Sequence, residues 1–429
     1  MAYRHHRFPL AAYRMPLPAV FVVLLALALL RSIPALAAGV VGSGTPESCT
    51  EAALDTALAG GGMVTFNCGG ATTITVTSTK IISADTTIDG GSLITISGGN
   101  SVGIFVVNIG VNFTVQNLTI ANGIGGNFGG GGIANSGTLT VTNSTFSGNR
   151  ADAGGAISNS GDLTVTNCTF SGNSSSYLLG AGGAISNSGN LIVTNSTFSG
   201  NSAEAGGAIS NGGDMTVTNC TFSGNNSPSL LGPGGGAINN AGDLAPATLF
   251  NTILANNFTN NVGGNCEGSM TDGGHNIDDG TSCAFSTANG SLSNTNPQLD
   301  PAGLANNGGP TQTIALQAGS PAINAGDESV CTAAPVNSLD QRGYVRPGTG
   351  YANCSIGAFE YYGPSPPACD VGDCNRDGAV AVDEIITLVN IALGTALPAV
   401  CAHGVPSGPE VNVALIIQAV NNALSGCSG

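Results

Sequence analysis

GGAISNSGDLTVTNCTFSGN, residues 154–173, holds one charged side chain in twenty residues, and near copies flank it on both sides. Aligned on one asparagine, the copies place Asn143, Asn167, Asn195 and Asn219 at spacings of 24, 28 and 24 residues, inside TNSTFSGN, TNCTFSGN, TNSTFSGN and TNCTFSGN. A weaker fifth copy, FNTILANN, brings Asn251 into register. Upstream of them stand GGGIANSG, GGAISNSG, GGAISNSG, GGAISNGG and GGAINNAG. A period of this length marks a solenoid. The runs LTVTN and LIVTN are rich in β-branched residues with period-two alternation, which predicts strands, and Gly-Gly and Asn-Ser-Gly predict turns between them. Two or three short strands per copy make one coil of a parallel β-helix, with coils stacking at about 4.8 Å.

Each copy is then one rung, unable to bury its apolar face alone. Leu163, Val165 and Phe170 are expected to point inward. Phe146, Phe170, Phe198 and Phe222 form one expected ladder, and Asn143, Asn167, Asn195 and Asn219 another, at a strand corner where Asn tolerates left-handed backbone geometry. Cys168 and Cys220 share a stack position two rungs apart. Their separation of about 9.6 Å exceeds the roughly 7 Å limit for a disulfide, so both are expected as buried free thiols. Before the repeats, Ser48-x-x-Glu51 reads as a capping box opening a helix over about residues 49–59, ended by Gly60, that closes the N-terminal end of the solenoid. TTIDGGSLITISGG and NFTVQNLTIANG read as less regular coils.

The rest of the 429 residues sets the context. Charged residues make up only 8%, against 41% hydrophobic. Arg4, Arg7 and Arg14 precede the apolar run AVFVVLLALALL (19–30), and Ala35-Leu36-Ala37 reads as a cleavage site, which predicts a signal peptide over 1–37. Its removal leaves five basic residues against 25 acidic ones, a net charge of −20, which argues against a nucleic-acid partner. No second apolar run follows, so no transmembrane segment is expected after signal cleavage. The expected location is extracellular, with the cell surface or outer membrane as possible attachment. All twelve cysteines follow the cleavage site, and Cys49–Cys68, Cys266–Cys283 and Cys331–Cys354 are sequence-local candidate pairs. Cys369, Cys374, Cys401 and Cys427 leave three connectivities open.

The paired GGAI and FSGN motifs resemble the GGA[ILV]/FxxN repeats of bacterial polymorphic outer-membrane proteins, and the whole pattern resembles the right-handed parallel β-helix of pectin-lyase-like proteins. The likeness covers roughly residues 50–260. It implies a right-handed solenoid and surface exposure, in some relatives as adhesins. Those proteins end in a membrane β-barrel; none is expected from this sequence, so outer-membrane insertion is not implied. Residues 262–360, with GGHNIDDGTSC, NPQLDP, ANNGGPTQT, GSPAINAG, DQRG and CSIGAFE, resemble the tail of bacterial "choice-of-anchor" β-helix proteins, which implies secretion or surface display and names no reaction.

Beyond a Pro-rich linker at 361–369, DCNRDGAVAVDE (373–384) matches D-x-N-x-D-G-x5-E without a gap. Calcium takes six to eight hard oxygens, and this loop offers Asp373, Asn375, Asp377, the Ala379 carbonyl and a bidentate Glu384, with Gly378 for the sharp turn. A second half, VNVALIIQAVNNAL (411–424), repeats VAVDEIITLVNIAL (380–393) at an offset of 31. The paired halves resemble a dockerin, a module that docks onto cohesins, and so imply a small α-helical calcium module. The offset puts Gly404, Pro406, Gly408 and Leu415 at ligand positions of the second half, which therefore lacks the oxygens, and a cohesin-like partner is correspondingly weakened.

The expected domains are thus a signal peptide (1–37), a β-helix (38–265), its C-terminal anchor-type region (266–360), the linker (361–369) and the dockerin-like module (370–429). No catalytic residue emerges. Asp162, Asp214 and Asp243 recur at one repeat position as turn chemistry. Asp272, His275, Asp278 and Asp279 form the only mixed cluster, with a structural or weak cation role. The insertions SSSYLLGA (174–181) and NSPSLLGP (226–233) place Tyr177, Leu178, Leu179, Leu230 and Leu231 beside one another, as a binding ledge or as mutual packing. The expectation is an adhesive or carbohydrate-binding surface protein with a polysaccharide or cell-surface ligand. A polysaccharide lyase or hydrolase of the pectin-lyase-like fold and a purely structural surface protein are the alternatives.

Overall fold

The structure is a computed structural model that describes residues 39–126, 129–175, 181–228, 234–240, 246–259, 264–362, 371–375, 380–401, 404–405 and 411–425. The signal-peptide segment, the ledge residues Tyr177, Leu178, Leu179, Leu230 and Leu231, and the loop residues Asp377 and Ala379 lie outside the described residues.

Each repeat folds into one coil of a parallel β-solenoid, because its period-two strands are separated by Gly- and Asn-bearing corners. In the coil quoted above, Ile157–Asn159 comes first, Asp162–Thr166 second and Thr169–Ser171 third. Strands of the first kind stack into an eight-stranded parallel sheet that runs from Lys80–Ile82 to Cys266–Glu267. Strands of the second and third kinds build one 17-stranded sheet with the coils that precede them.

Repetition fixes the register. Phe146 pairs with Phe170, Phe170 with Phe198 and Phe198 with Phe222, and Val141, Val165, Val193 and Val217 align in the same way. The four phenyl rings lie 4.9, 4.8 and 4.6 Å apart and nearly parallel, fully buried. Stacking at strand spacing is imposed by the ladder. Between the second and third strands the chain turns at Asn143, Asn167, Asn195, Asn219 and Asn251, all left-handed with φ between 46° and 54°. Asparagine is among the few side chains that adopt this geometry routinely.

Two further asparagine columns run inside the solenoid. Asn149, Asn173, Asn201, Asn225 and Asn257 each donate Nδ2 to the Oδ1 of the next rung over 2.7–3.0 Å, ending on Asn265. The same amide also donates to the carbonyl of a preceding rung, as Asn201 does to Phe170. Asn135, Asn159, Asn187, Asn211 and Asn240 repeat the arrangement at the Ile-Ser-Asn strand and end on the Ser269 carbonyl. Buried amides survive because each is satisfied on both sides.

The helix before the first regular coil spans Glu51–Leu58, and its N-cap is Thr50, whose side chain accepts from Ala53 N. The expected Ser48–Glu51 capping box does not form. Ser48 Oγ donates to the Thr45 carbonyl, and Glu51 reaches forward to Thr77 N, Ser78 N and Lys80 Nζ. A buried ammonium and two amides of the bend between Thr72–Thr75 and Lys80–Ile82 outcompete the helix's own N-terminus for that carboxylate. Lys80 also pairs with Asp55 at 2.7 Å.

Disulfides join Cys49–Cys68, Cys266–Cys283, Cys331–Cys354 and Cys374–Cys401. Cys168 and Cys220 are free and buried, and burial pushes both thiols up to about 12. Among the described residues no helix is long and apolar enough to cross a membrane.

Candidate functional sites

The first candidate is the outer surface of the corner and third strand. Thr145, Thr169, Thr197 and Thr221 occupy one register position, beside the left-handed asparagines. Periodicity alone would leave this row open to solvent. From Asn167 onward it is covered, because residues 307–361 run back across it. Thr169 Oγ1 donates to the Gln312 carbonyl, Thr311 Oγ1 to the Asn167 carbonyl and Thr197 Oγ1 to Gln341 Oε1. Gln341 Nε2 lies near four acceptors, the Cys168 and Gln312 carbonyls and the Thr169 and Thr311 hydroxyls. Asn195 Nδ2 donates to the Leu339 carbonyl, and Ala358 N to Thr221 Oγ1. Thr169, Thr197 and Thr221 are consequently buried, while Thr145 stays partly exposed. Nothing periodic signals this route.

Inside the tail, the DQRG and GAFE segments meet. Asp340 accepts from Arg342 Nε, Tyr344 N and Glu360 N, and Arg342 Nη2 stands 2.7 Å from its Oδ2. Arg346, fully buried, donates to the Ser355 and Gly357 carbonyls and lies 3.5 Å from Glu360 Oε2. Burial pushes the Glu360 carboxyl up, against the opposing pull of Arg346 and of the Ser355 and Gly348 hydrogen bonds. These two segments are the tail's own fastening.

The mixed cluster at 272–279 is knitted into turns. Asp272 accepts from Gly274 N, Asn276 Nδ2, Ser291 Oγ and Ser286 N. Asp278 accepts from Gly280 N and Cys283 N, and with Asp279 it terminates the inner asparagine column through Asn265 Nδ2. His275 takes a left-handed backbone, its Nδ1 2.7 Å from the Ala325 carbonyl. Elsewhere on the solenoid, Asp85 binds Asn112, Asp89 binds Gln116 and Asn117, and Asp162 accepts from Asn190.

The second candidate is the acidic loop near the C-terminus. Its helix spans Val382–Ala392, and Glu384 sits in the first turn. Glu384 Oε1 accepts from Cys374 N and Asn375 N, and Oε2 from Ala381 N, so one carboxylate draws both ends of the loop together. Asp373 and Glu384 are both buried, at 1% and 4% exposure. The Cys374–Cys401 disulfide pins the same segment. Carboxylate and amide oxygens such as those of Asp373, Asn375 and Glu384 are the hard donor type that calcium takes. In the second half, Leu415 stands where Glu384 stands in the first. It is buried in a small core with Leu388, Ile391, Val380 and Ala419, at the start of the helix Val413–Ser425.

A family model described as "Right handed beta helix region" matches residues 64–296. No curated protein and no solved structure matches the chain. Register-locked parallel coils and a family match over more than half of the sequence agree: the chain belongs to the right-handed β-helix family.

Proposed function

We propose that this chain is an exported, surface-displayed β-helix protein that binds a polysaccharide or cell-surface ligand without turning it over, and that its C-terminal segment is a dockerin-like module holding one calcium ion. The observation that carries the non-enzymatic reading is the use of six of the solenoid's acids. Asp85, Asp89, Asp162, Asp272, Asp278 and Asp279 all serve as hydrogen-bond acceptors for turn and ladder amides. A catalytic carboxylate needs a free face toward substrate. Polygalacturonate and a glycan panel, each with and without calcium, test this. Binding without release of unsaturated sugar supports it, and robust turnover returns the lyase alternative.

In this reading the helix Glu51–Leu58 caps the N-terminal end of the solenoid, with Glu51 binding the Thr77 and Ser78 amides beside its first rungs. The motifs of the repeats and tail resemble those of surface-displayed families, which is the support for secretion after removal of residues 1–37. Calcium would be held by Asp373, Asn375, Asp377, the Ala379 carbonyl and Glu384. The buried pair Asp373 and Glu384 supports that assignment. Cohesin-type docking is weakened by Leu415, an apolar core residue at the second ligand position.

A further inference from the structure

One column of identical residues in this protein has two different sets of partners. Asn143 Nδ2 donates to Asn117 Oδ1 and Asn167 Nδ2 to Asn143 Oδ1, each rung to the one before. From the next rung the direction changes. Asn195 Nδ2 turns to the Leu339 carbonyl, Asn219 Nδ2 to Cys331 Sγ, and Asn251 Nδ2 to the Asp327 carbonyl and Cys331 Sγ. Two acceptors are orphaned as a result: Asn167 Oδ1 and Asn195 Oδ1 are buried with no hydrogen-bond partner. They are the two atoms that Asn195 and Asn219 would reach if the ladder continued.

We infer that residues 307–361 form a releasable strap, and that the asparagine column beneath it is a two-state element, donating to the strap when it is down and closing into a ladder when its tip lifts. The strap is built unevenly in a way that suits this. Its base is apolar: Leu316, Ala322 and Ile356 pack on Ile253, Ala255 and Ile277 of the last rungs. Its tip, Thr311–Gln312 and Leu339–Gln341, is hydrogen-bonded to the solenoid at Asn167, Thr169, Asn195 and Thr197. Among the described residues no disulfide crosses from strap to solenoid, because Cys331–Cys354 closes within the tail and Cys266–Cys283 within the coils. Lifting the tip therefore breaks no covalent bond. Asn195 Nδ2 on leaving Leu339 finds Asn167 Oδ1 waiting, and Asn219 Nδ2 on leaving Cys331 finds Asn195 Oδ1, which removes much of the usual cost of exposing a docked polar face. The lifted state presents an Asn and Thr row from Asn117 to Asn219.

The test places a thiol under the tip. Thr197 is fully buried beneath Gln341, and in the folded full-length chain Thr197→Cys should label with a small thiol reagent at least about tenfold faster than the protein unfolds. The native free thiols stay silent because they are buried inside the coils. Adding Asn167→Gly, which keeps the left-handed corner but removes the waiting acceptor, should slow labelling about fivefold, the worth of one hydrogen bond. Adding Gln341→Ala should speed it. Hydrogen exchange in the unmutated chain gives an independent reading: the Ala358 amide, held on Thr221 Oγ1, should exchange faster than the Thr221 amide, held on the Ser196 carbonyl. Labelling only at the global unfolding rate, labelling indifferent to Asn167→Gly, or equal exchange at the two amides would each overturn the strap.

Discussion

Glu51 shows how one carboxylate can be claimed by the tertiary fold. Burial works against its ionised form, but the Lys80 hydrogen bond, the Thr77 amide and hydroxyl and the Lys80 charge prevail and hold it at about 2, below the ordinary 4.5. A lowered folded-state value contributes stability that is present above the unfolded value and is lost as pH falls through the folded one. The stability gap between wild type and Glu51→Gln should therefore be full above about pH 4.5 and close toward about pH 2, which chemical denaturation at a series of pH values measures. Glu360 has the opposite sign. Its raised value stabilises the fold at low pH, and that contribution is lost as pH rises through the folded value. The corner asparagines allow a cleaner separation of backbone from side chain. Asn143→Ala and Asn143→Gly both remove the bond to Asn117, but only Ala is strained at φ 50°. Ala should cost about 1–2 kcal/mol more than Gly, and equal melting temperatures would mean that the corner is not conformationally constrained.

Among the elements, the ladders carry the energetics. Asn201 accepts from Asn173 N and Nδ2 and donates to the Phe170 carbonyl and Asn225 Oδ1. Asn201→Ala removes a partner from each of those groups inside the solenoid, where an unmet hydrogen bond costs about 1–3 kcal/mol. A loss of about 3 kcal/mol or more is expected in thermal or chemical unfolding. Phe198→Ala opens a gap at the middle of the ring stack and should cost about 3–5 kcal/mol, and a smaller loss would show that neighbouring rings collapse into the space. These elements were legible because repetition supplies what single strands do not. Four near-identical copies fix strand boundaries, facing and register together, since a slip of one residue would turn every Leu, Val and Phe outward. The inner asparagine columns were less legible. Asn173 and Asn159 look like turn residues in one copy, and only stacking reveals that their amides bond from rung to rung. The strap was not legible at all: Gln341 meets Cys168 and Thr169 across more than 170 residues, and a single glutamine carries no period. The Ser48–Glu51 box misled for a related reason, because Lys80 is invisible to a local motif.

At the scale of the whole molecule, two regions with different architecture share one chain, and the proposed calcium site gives an experiment that separates them. The solenoid is held by ladders that need no ion. The C-terminal segment has a small core around Leu388, Ile391, Leu415 and Ala419, and its Asp373 and Glu384 are also buried. Burying carboxylates without a cation is costly, so an ion that binds only the folded segment would stabilise it by mass action, about 1.4 kcal/mol at ten times the dissociation constant. Calorimetry on the full-length protein should give one ion per chain, because Leu415 in the second half offers no oxygen where Glu384 stands in the first. The dissociation constant should fall in the range of extracellular modules, about 10⁻⁴ to 10⁻³ M. Glu384→Gln keeps the size of the side chain but loses its charge and bidentate grip, and should abolish most of the binding. Calcium should shift only the unfolding transition of the module and leave that of the solenoid where it is. Two ions per chain, or a solenoid transition that moves with calcium while Glu384→Gln binds normally, would place the cation elsewhere in the molecule.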